Sequence, residues 1–235
     1  MTIKAILFDK DGTLIDFQRT WGVAMHDVLQ HLSNGDADIM ARMAKIVDFD
    51  VQSGIIHADS VFIGGSITEL VQRWAPLIKR HGDTGLEKEV NVLFGTASAK
   101  TIKGFATTQA VLKELKQAGY QLGIATNDTQ ANAELHMDAL GWTSHFDMIM
   151  GYDSGHGTKP EPGMVHAFAA QCALPPCQVA MVGDSLHDLA SGKAAQALAI
   201  GVTTGPASRE DLAETADHVV DDLEELLALL DGLQA

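Results

Sequence analysis

Five short runs of mostly apolar residues constrain this chain more than anything else in it. They are IKAILF (3–8), YQLGIAT (120–126), FDMIM (146–150), QVAMV (178–182) and ALAIGV (197–202). Each is too short for a buried helix, and each is nearly continuous rather than alternating, the pattern of a strand covered on both faces. Amphipathic segments separate them. TTQAVLKELKQAG (107–119) places Val111, Leu115 and Ala118 on one stripe before Gly119 stops it. MVHAFAAQCAL (164–174) precedes the fourth run, and DDLEELLALL closes the chain with Leu223, Leu226, Leu227 and Leu230 at helical spacing. Strand–helix alternation of this kind predicts a doubly wound, Rossmann-like α/β domain with a parallel sheet.

The alternation breaks between residues 17 and 95, where only helical patterns stand out. FQRTWGVAMHDVLQHL sets Trp21, Met25, Val28 and Leu32 on one face, and ADIMARMAKIV follows. A glycine-containing loop (53–66) leads to Ser66-Ile67-Thr68-Glu69, a capping-box pattern that opens ITELVQRWAPLI, and LEKEVNVLF suggests one further helix. The expected organisation is a core built from residues 1–16 and 96–235, interrupted by an all-helical cap over 17–95. Trp21, Met25, Met40 and Met43 read as cap core, and Arg19, Arg42, Lys45 and Arg73 as solvated faces.

The net charge of −15 over 235 residues disfavours nucleic acid and anionic membranes as partners, and any anionic substrate would need local positive charge. No run of 18 apolar residues exists, the N-terminal apolar run ends at Asp9, and the two cysteines of CALPPC suit reduced thiols, so a cytoplasmic protein is expected. The ten histidines form no metal-ligand pattern.

Three runs end alike. The first ends in Asp9-Lys10-Asp11-Gly12, the second in Thr126-Asn127-Asp128 and the fourth in Gly183-Asp184-Ser185-Leu186-His187-Asp188. Ligands of open α/β sheets bind beyond the carboxyl ends of the strands. If these strands are neighbours, Asp9, Asp11, Thr126, Asn127, Asp184 and Asp188 converge. Two like charges about 4 Å apart repel by roughly 4 kcal/mol at an effective dielectric near 20, so protons or a cation must offset the crowding. A hard divalent cation suits oxygen ligands, and Lys159 in GTKPEP offers further positive charge. A calcium loop is excluded for DKDGTLID, which lacks the ligand pattern and the closing glutamate. Asp153 reads as a turn-capping loop residue, and His187 as a solvated loop residue.

Asp9-Lys10-Asp11-Gly12-Thr13, Thr126-Asn127, Lys159-Pro160 and Gly183-Asp184-Ser185-Leu186-His187-Asp188, in this order, resemble the four motifs of the haloacid dehalogenase superfamily. The chain around them resembles the phosphoglycolate-phosphatase-like branch with a helical cap. The resemblance implies that Asp9 attacks phosphorus and forms an aspartyl phosphate, while Asp11 serves as general acid and then base. It implies that the Thr126 hydroxyl and the Asn127 amide hold phosphoryl oxygens, and that Lys159 neutralises charge on nucleophile and phosphate. Magnesium would bind the carboxylates of Asp9 and Asp184 and the carbonyl of Asp11, with Asp188 behind them orienting a bound water or Lys159. The expected activity is hydrolysis of a small phosphorylated metabolite by a monomer or homodimer. The loop 53–66 is expected to reach the crevice, with selectivity residing in the cap. A phosphotransferase or sugar-phosphate mutase is the alternative, and a non-catalytic phospho-switch a more distant one.

Overall fold

The computed structural model describes residues 2–57, 60–64 and 67–234, and the chain divides into two compact units, one up to Asp16 and from Lys103 onward, the other Phe17–Ile102. The first unit is built on a six-stranded sheet of β1 (Ala5–Phe8), β4 (Gln121–Ala125), β5 (Met148–Met150), β6 (Val179–Gly183), β7 (Leu198–Val202) and β8 (His218–Val220). The strand order is β5-β4-β1-β6-β7-β8 and every pairing is parallel. β1 pairs with β4 on one side and β6 on the other, with Leu7 opposite both Gly123 and Met181. The chain therefore changes winding direction at β1, and a crevice opens beyond its carboxyl end.

All four β1 residues are buried, as are the five of β6, which accounts for the unbroken apolar runs. One sheet face packs Leu7, Ala125, Met150 and Met181 against Val165 and Phe168 of the helix Gly163–Gln171. The helices Thr108–Gln117 and Leu223–Gln234 contact each other. β8 had no counterpart among the predicted strands, and neither did the helix Gln130–Leu140.

The Phe17–Ile102 unit holds the helices Phe17–Leu32, Ala37–Ile46, Val61–Gly64, Ile67–Trp74 and Leu86–Thr101. Its core joins Trp21, Met25, Val28, Met43, Leu70, Trp74, Val90 and Phe94, with Met40 packed at the margin. The Trp74 indole N–H donates to the Met43 carbonyl at 3.1 Å, which satisfies its polar atom in the core. Arg19, Arg42, Lys45 and Arg73 are exposed, and Arg73 pairs with Glu69 at 2.5 Å.

Two expectations change here. The unit is not all-helical: β2 (Phe49–Asp50) and β3 (Ile55–Ile56) pair antiparallel around a turn whose amides at Gln52 and Ser53 donate to Asp50 Oδ1. Two residues per strand leave no periodicity to read. The boundary expected at 95/96 falls inside Leu86–Thr101, because Gly95 is a buried helical position and not a stop. The capping residue Ser66 and parts of the loop 53–66 lie outside the described residues.

Candidate active site

Asp9 follows β1 directly, and its amide extends the ladder by donating to the Val182 carbonyl at 2.8 Å. The Asp9 carboxylate meets Lys159, whose ammonium lies 2.5 Å from Asp9 Oδ1 and 2.6 Å from Asp188 Oδ1. Asp184, just past β6, accepts from the Thr13 hydroxyl at 3.1 Å. Asp9, Asp184 and Asp188 are all buried, each with a carboxylate oxygen within 4.8 Å of the others. Strand ends at Phe8 and Gly183, far apart in sequence, are thus joined because β1 and β6 are hydrogen-bonded neighbours.

The charges in this cluster do not balance, since three carboxylates share one ammonium. Burial pushes the Asp9 carboxyl up to about 7; Lys159 opposes the shift, while Asp188 and Asp11 add to it. Burial and the charges of Asp9 and Asp188 hold Asp184 well above the usual carboxylate range, against the Thr13 hydrogen bond and Lys159. Burial alone would lower the Lys159 ammonium, but Asp188 and Asp9 outweigh it and keep the group charged.

Each group is held from behind. Asp188 sits in the first turn of the helix Leu186–Ala194. Its Oδ2 accepts from the Ser185 amide at 3.0 Å and the Ser185 hydroxyl at 2.6 Å, a capping box that leaves Oδ1 aimed at Lys159. Lys159 lies in the connection after β5, and its peptide bond to Pro160 is cis. Its backbone is clasped by Asn127: the Lys159 amide donates to Asn127 Oδ1 at 2.9 Å, and Asn127 Nδ2 donates to the Lys159 carbonyl at 3.0 Å. Thr126, buried at the end of β4, accepts the Asp128 amide at 3.1 Å.

Gly12 has φ +87°, and a Cβ there would lie 2.3 Å from Asp184 Oδ2. Only glycine meets both demands, the left-handed backbone and the close approach. A Cβ at Gly205, in the connection after β7, would lie 1.7 Å from the same oxygen, and the neighbouring Thr204 hydroxyl donates to the Gly12 carbonyl at 2.6 Å. Two backbone segments therefore press on the Asp184 carboxylate.

The structure brings together Asp9, Asp184, Asp188 and Lys159, with Thr126 and Asn127 at the end of the adjoining strand β4. The Asp11 carboxylate stands apart from this cluster. Its Oδ2 meets the ammonium of Lys10 at 2.7 Å, and Lys10 is fully buried. The same ammonium lies 3.1 Å from Asp128 Oδ2 and 3.0 Å from His136 Nδ1. Burial and the Lys10 charge push His136 down to about 3, so its ring is neutral; Nδ1 accepts from Lys10 and the proton resides on Nε2.

Sequence reasoning passed over Lys10, Thr13, Asp128, His136, Thr204 and Gly205. Lys10, Thr13 and Asp128 lie inside or beside strand-end motifs, and Thr204 and Gly205 follow the fifth apolar run, so the strand-end rule reaches all of them. A lone histidine at 136 carries no such signal. His187 is exposed, as expected, but on the helix Leu186–Ala194 and not in a loop. Asp153 caps the helix Gln130–Leu140 by accepting the Gln130 amide at 2.8 Å, rather than a turn of its own loop.

A family model for haloacid dehalogenase-like hydrolases matches residues 3–196. A phosphoglycolate phosphatase of Colwellia psychrerythraea is 26% identical over 216 residues, covering 89% of this chain and 88% of its own length. The pyrophosphatase PpaX of Bacillus velezensis is 26% identical over 229 residues, covering 96% and 95%. A solved hydrolase of the same superfamily, subfamily IA, from Geobacter sulfurreducens superimposes with a TM-score of 0.65 at 17% identity, over 97% of this chain and 96% of that one. With a parallel sheet that turns at β1, acidic strand ends gathered there and a match over most of its length, the chain belongs to the haloacid dehalogenase-like hydrolase family.

Proposed function

We propose that this hydrolase is a magnesium-dependent phosphatase that acts on a small phosphomonoester through an aspartyl-phosphate intermediate. One observation carries the reading: Asp9, at the end of the central strand, is held by Lys159 within a buried cluster that also contains Asp184 and Asp188. The surplus of buried negative charge and the all-oxygen donor set fit a hard divalent cation. The carboxylates of Asp9 and Asp184 and the carbonyl of Asp11 would hold magnesium, with Asp188 fixing Lys159 behind them. When bound, the metal neutralises charge on the nucleophile and on the phosphoryl oxygens.

An Asp9 carboxylate oxygen attacks phosphorus, the bond from phosphorus to the ester oxygen breaks, and Asp11 gives its proton to the departing alkoxide. Asp11 then takes a proton from water, whose oxygen attacks the acyl phosphate, releasing inorganic phosphate and restoring Asp9. Lys159 offsets charge on Asp9 and the phosphoryl group throughout, and the Thr126 hydroxyl and Asn127 amide receive phosphoryl oxygens. The name of the phosphoglycolate phosphatase relative favours a small phosphorylated acid. We further propose a cytoplasmic monomer or homodimer whose partner is a small phosphorylated metabolite, the net charge of −15 disfavouring nucleic acid and anionic membranes. Among the described residues no helix is long and apolar enough to cross a membrane.

Phosphate release should be measured on a panel of phosphorylated metabolites, with Asp9→Asn and chelated enzyme as controls. Asp9→Asn abolishes turnover, and chelation silences the enzyme until magnesium is restored. Hydrolysis by purified Asp9→Asn refutes the covalent route, and rates untouched by chelation refute the metal. An isomerised sugar phosphate formed without phosphate release points instead to a mutase.

A further inference from the structure

We propose that Lys10 is the positioning residue for the Asp11 carboxylate, locking it to the chain segment that carries Thr126 and Asn127. This inference rests on the phosphatase reading above, in which Asp11 handles the leaving-group proton.

Lys10 lies between two functional aspartates, yet its side chain is fully buried. An unpaired ammonium in that position would be prohibitively costly, so its partners matter. An ammonium carries three donors, and three acceptors surround it: Asp11 Oδ2 at 2.7 Å, Asp128 Oδ2 at 3.1 Å and His136 Nδ1 at 3.0 Å. These contacts hold the ammonium, and through it the Asp11 carboxylate, against Asp128 and His136.

The anchors are themselves restrained. Asp128 Oδ1 accepts from the Thr129 amide at 2.7 Å and from Asn132 Nδ2 at 3.0 Å. His136 is fully buried on the helix Gln130–Leu140. The Asp128 amide donates to Thr126 Oγ1, so the chain of contacts runs from Asp11 through Lys10 and Asp128 to the hydroxyl placed on the phosphoryl group. The proton donor and the phosphate cradle come from β1 and β4, and Lys10 bridges the segments that follow the two strands. A methionine, one atom shorter and uncharged, would fill most of the space and leave Asp11 without this tether.

Leaving-group dependence tests the proposal. kcat/KM reports only the half-reaction in which the ester bond breaks, and a good leaving group needs no proton there. Lys10→Met should lower kcat/KM for phenyl phosphate about 10- to 100-fold and for p-nitrophenyl phosphate by no more than about 3-fold. Asp11→Asn should give the same pattern, and the double variant should be no worse than Asp11→Asn alone, because Lys10 acts through Asp11. Equal losses on both substrates, or a double variant whose losses multiply, would overturn the proposal. Asp128→Asn, which weakens one anchor, repeats the comparison at smaller amplitude if Lys10→Met fails to fold; no selective loss there overturns the proposal as well. Turnover by Asp9→Asn would instead mean that the phosphatase reading itself has failed.

Discussion

Asp9→Asn should stabilise the metal-free protein while abolishing its activity. In the folded chain the Asp9 carboxyl is pushed from its ordinary 3.8 up to about 7, mainly by burial. The folded state therefore holds this proton more tightly than the unfolded chain, and metal-free stability falls as pH rises from about 4 to about 7. A shift of that size corresponds to about 4 kcal/mol once the group is fully ionised. Asparagine keeps the shape and removes the charge. The attraction of Lys159 is already counted in that shift, and Lys159 keeps Asp188 at 2.6 Å. The gain at about pH 8.5 is therefore about 4 kcal/mol, or about 8–16 °C in Tm for a chain of this size. At about pH 5 only the lower part of the window from 3.8 to about 7 has been crossed, and the advantage should shrink to less than about 2 kcal/mol. Thermal unfolding in chelator at both pH values, for wild type and variant, measures this directly. Adding magnesium should narrow the gap, because a metal at about 100 times its Kd stabilises the wild type by about 2.7 kcal/mol and the variant lacks one carboxylate ligand. A variant less stable than wild type at the higher pH in chelator, or a gap unchanged by pH, refutes the electrostatic account of the cluster.

Gly12→Ala should lower stability by roughly 2 kcal/mol or more, because the new Cβ meets Asp184 Oδ2 at 2.3 Å on a backbone with φ +87°; magnesium affinity, read from the activation curve, should weaken with it. The two thiols should react unequally. Burial and Asp147 push Cys172 up to about 11, with Lys116 opposing, while Cys177 is only partly buried, so iodoacetamide at about pH 8 should label Cys177 first and Cys172 only on unfolding.

The sequence pattern revealed what repeats along a strand or lies at its end, and little else. β1, β4, β6 and β7 were readable because burial on both faces demands unbroken apolar runs. The edge strand β8 is three residues long and only its last is buried, so HVV carried no such signal. The helix Gln130–Leu140 buries Ala133, His136 and Met137, a face too small and too polar to stand out. The acidic cluster was legible because β1 and β6 each end in aspartate. The Lys10 tether was not, since its histidine arrives 126 residues later and owes its place to helix packing rather than to any local motif.

The placement of β1 also governs when the fold can come together. The first strand to leave the ribosome is the middle of the finished sheet, and its two neighbours begin only at Gln121 and Val179. At about 5–20 residues per second, on the order of ten seconds or more separates the synthesis of AILF from that of its second partner. During that interval an apolar, uncharged segment waits with open edges, the state in which nascent chains pair wrongly or recruit chaperones. A central strand made this early thus makes a late-closing fold.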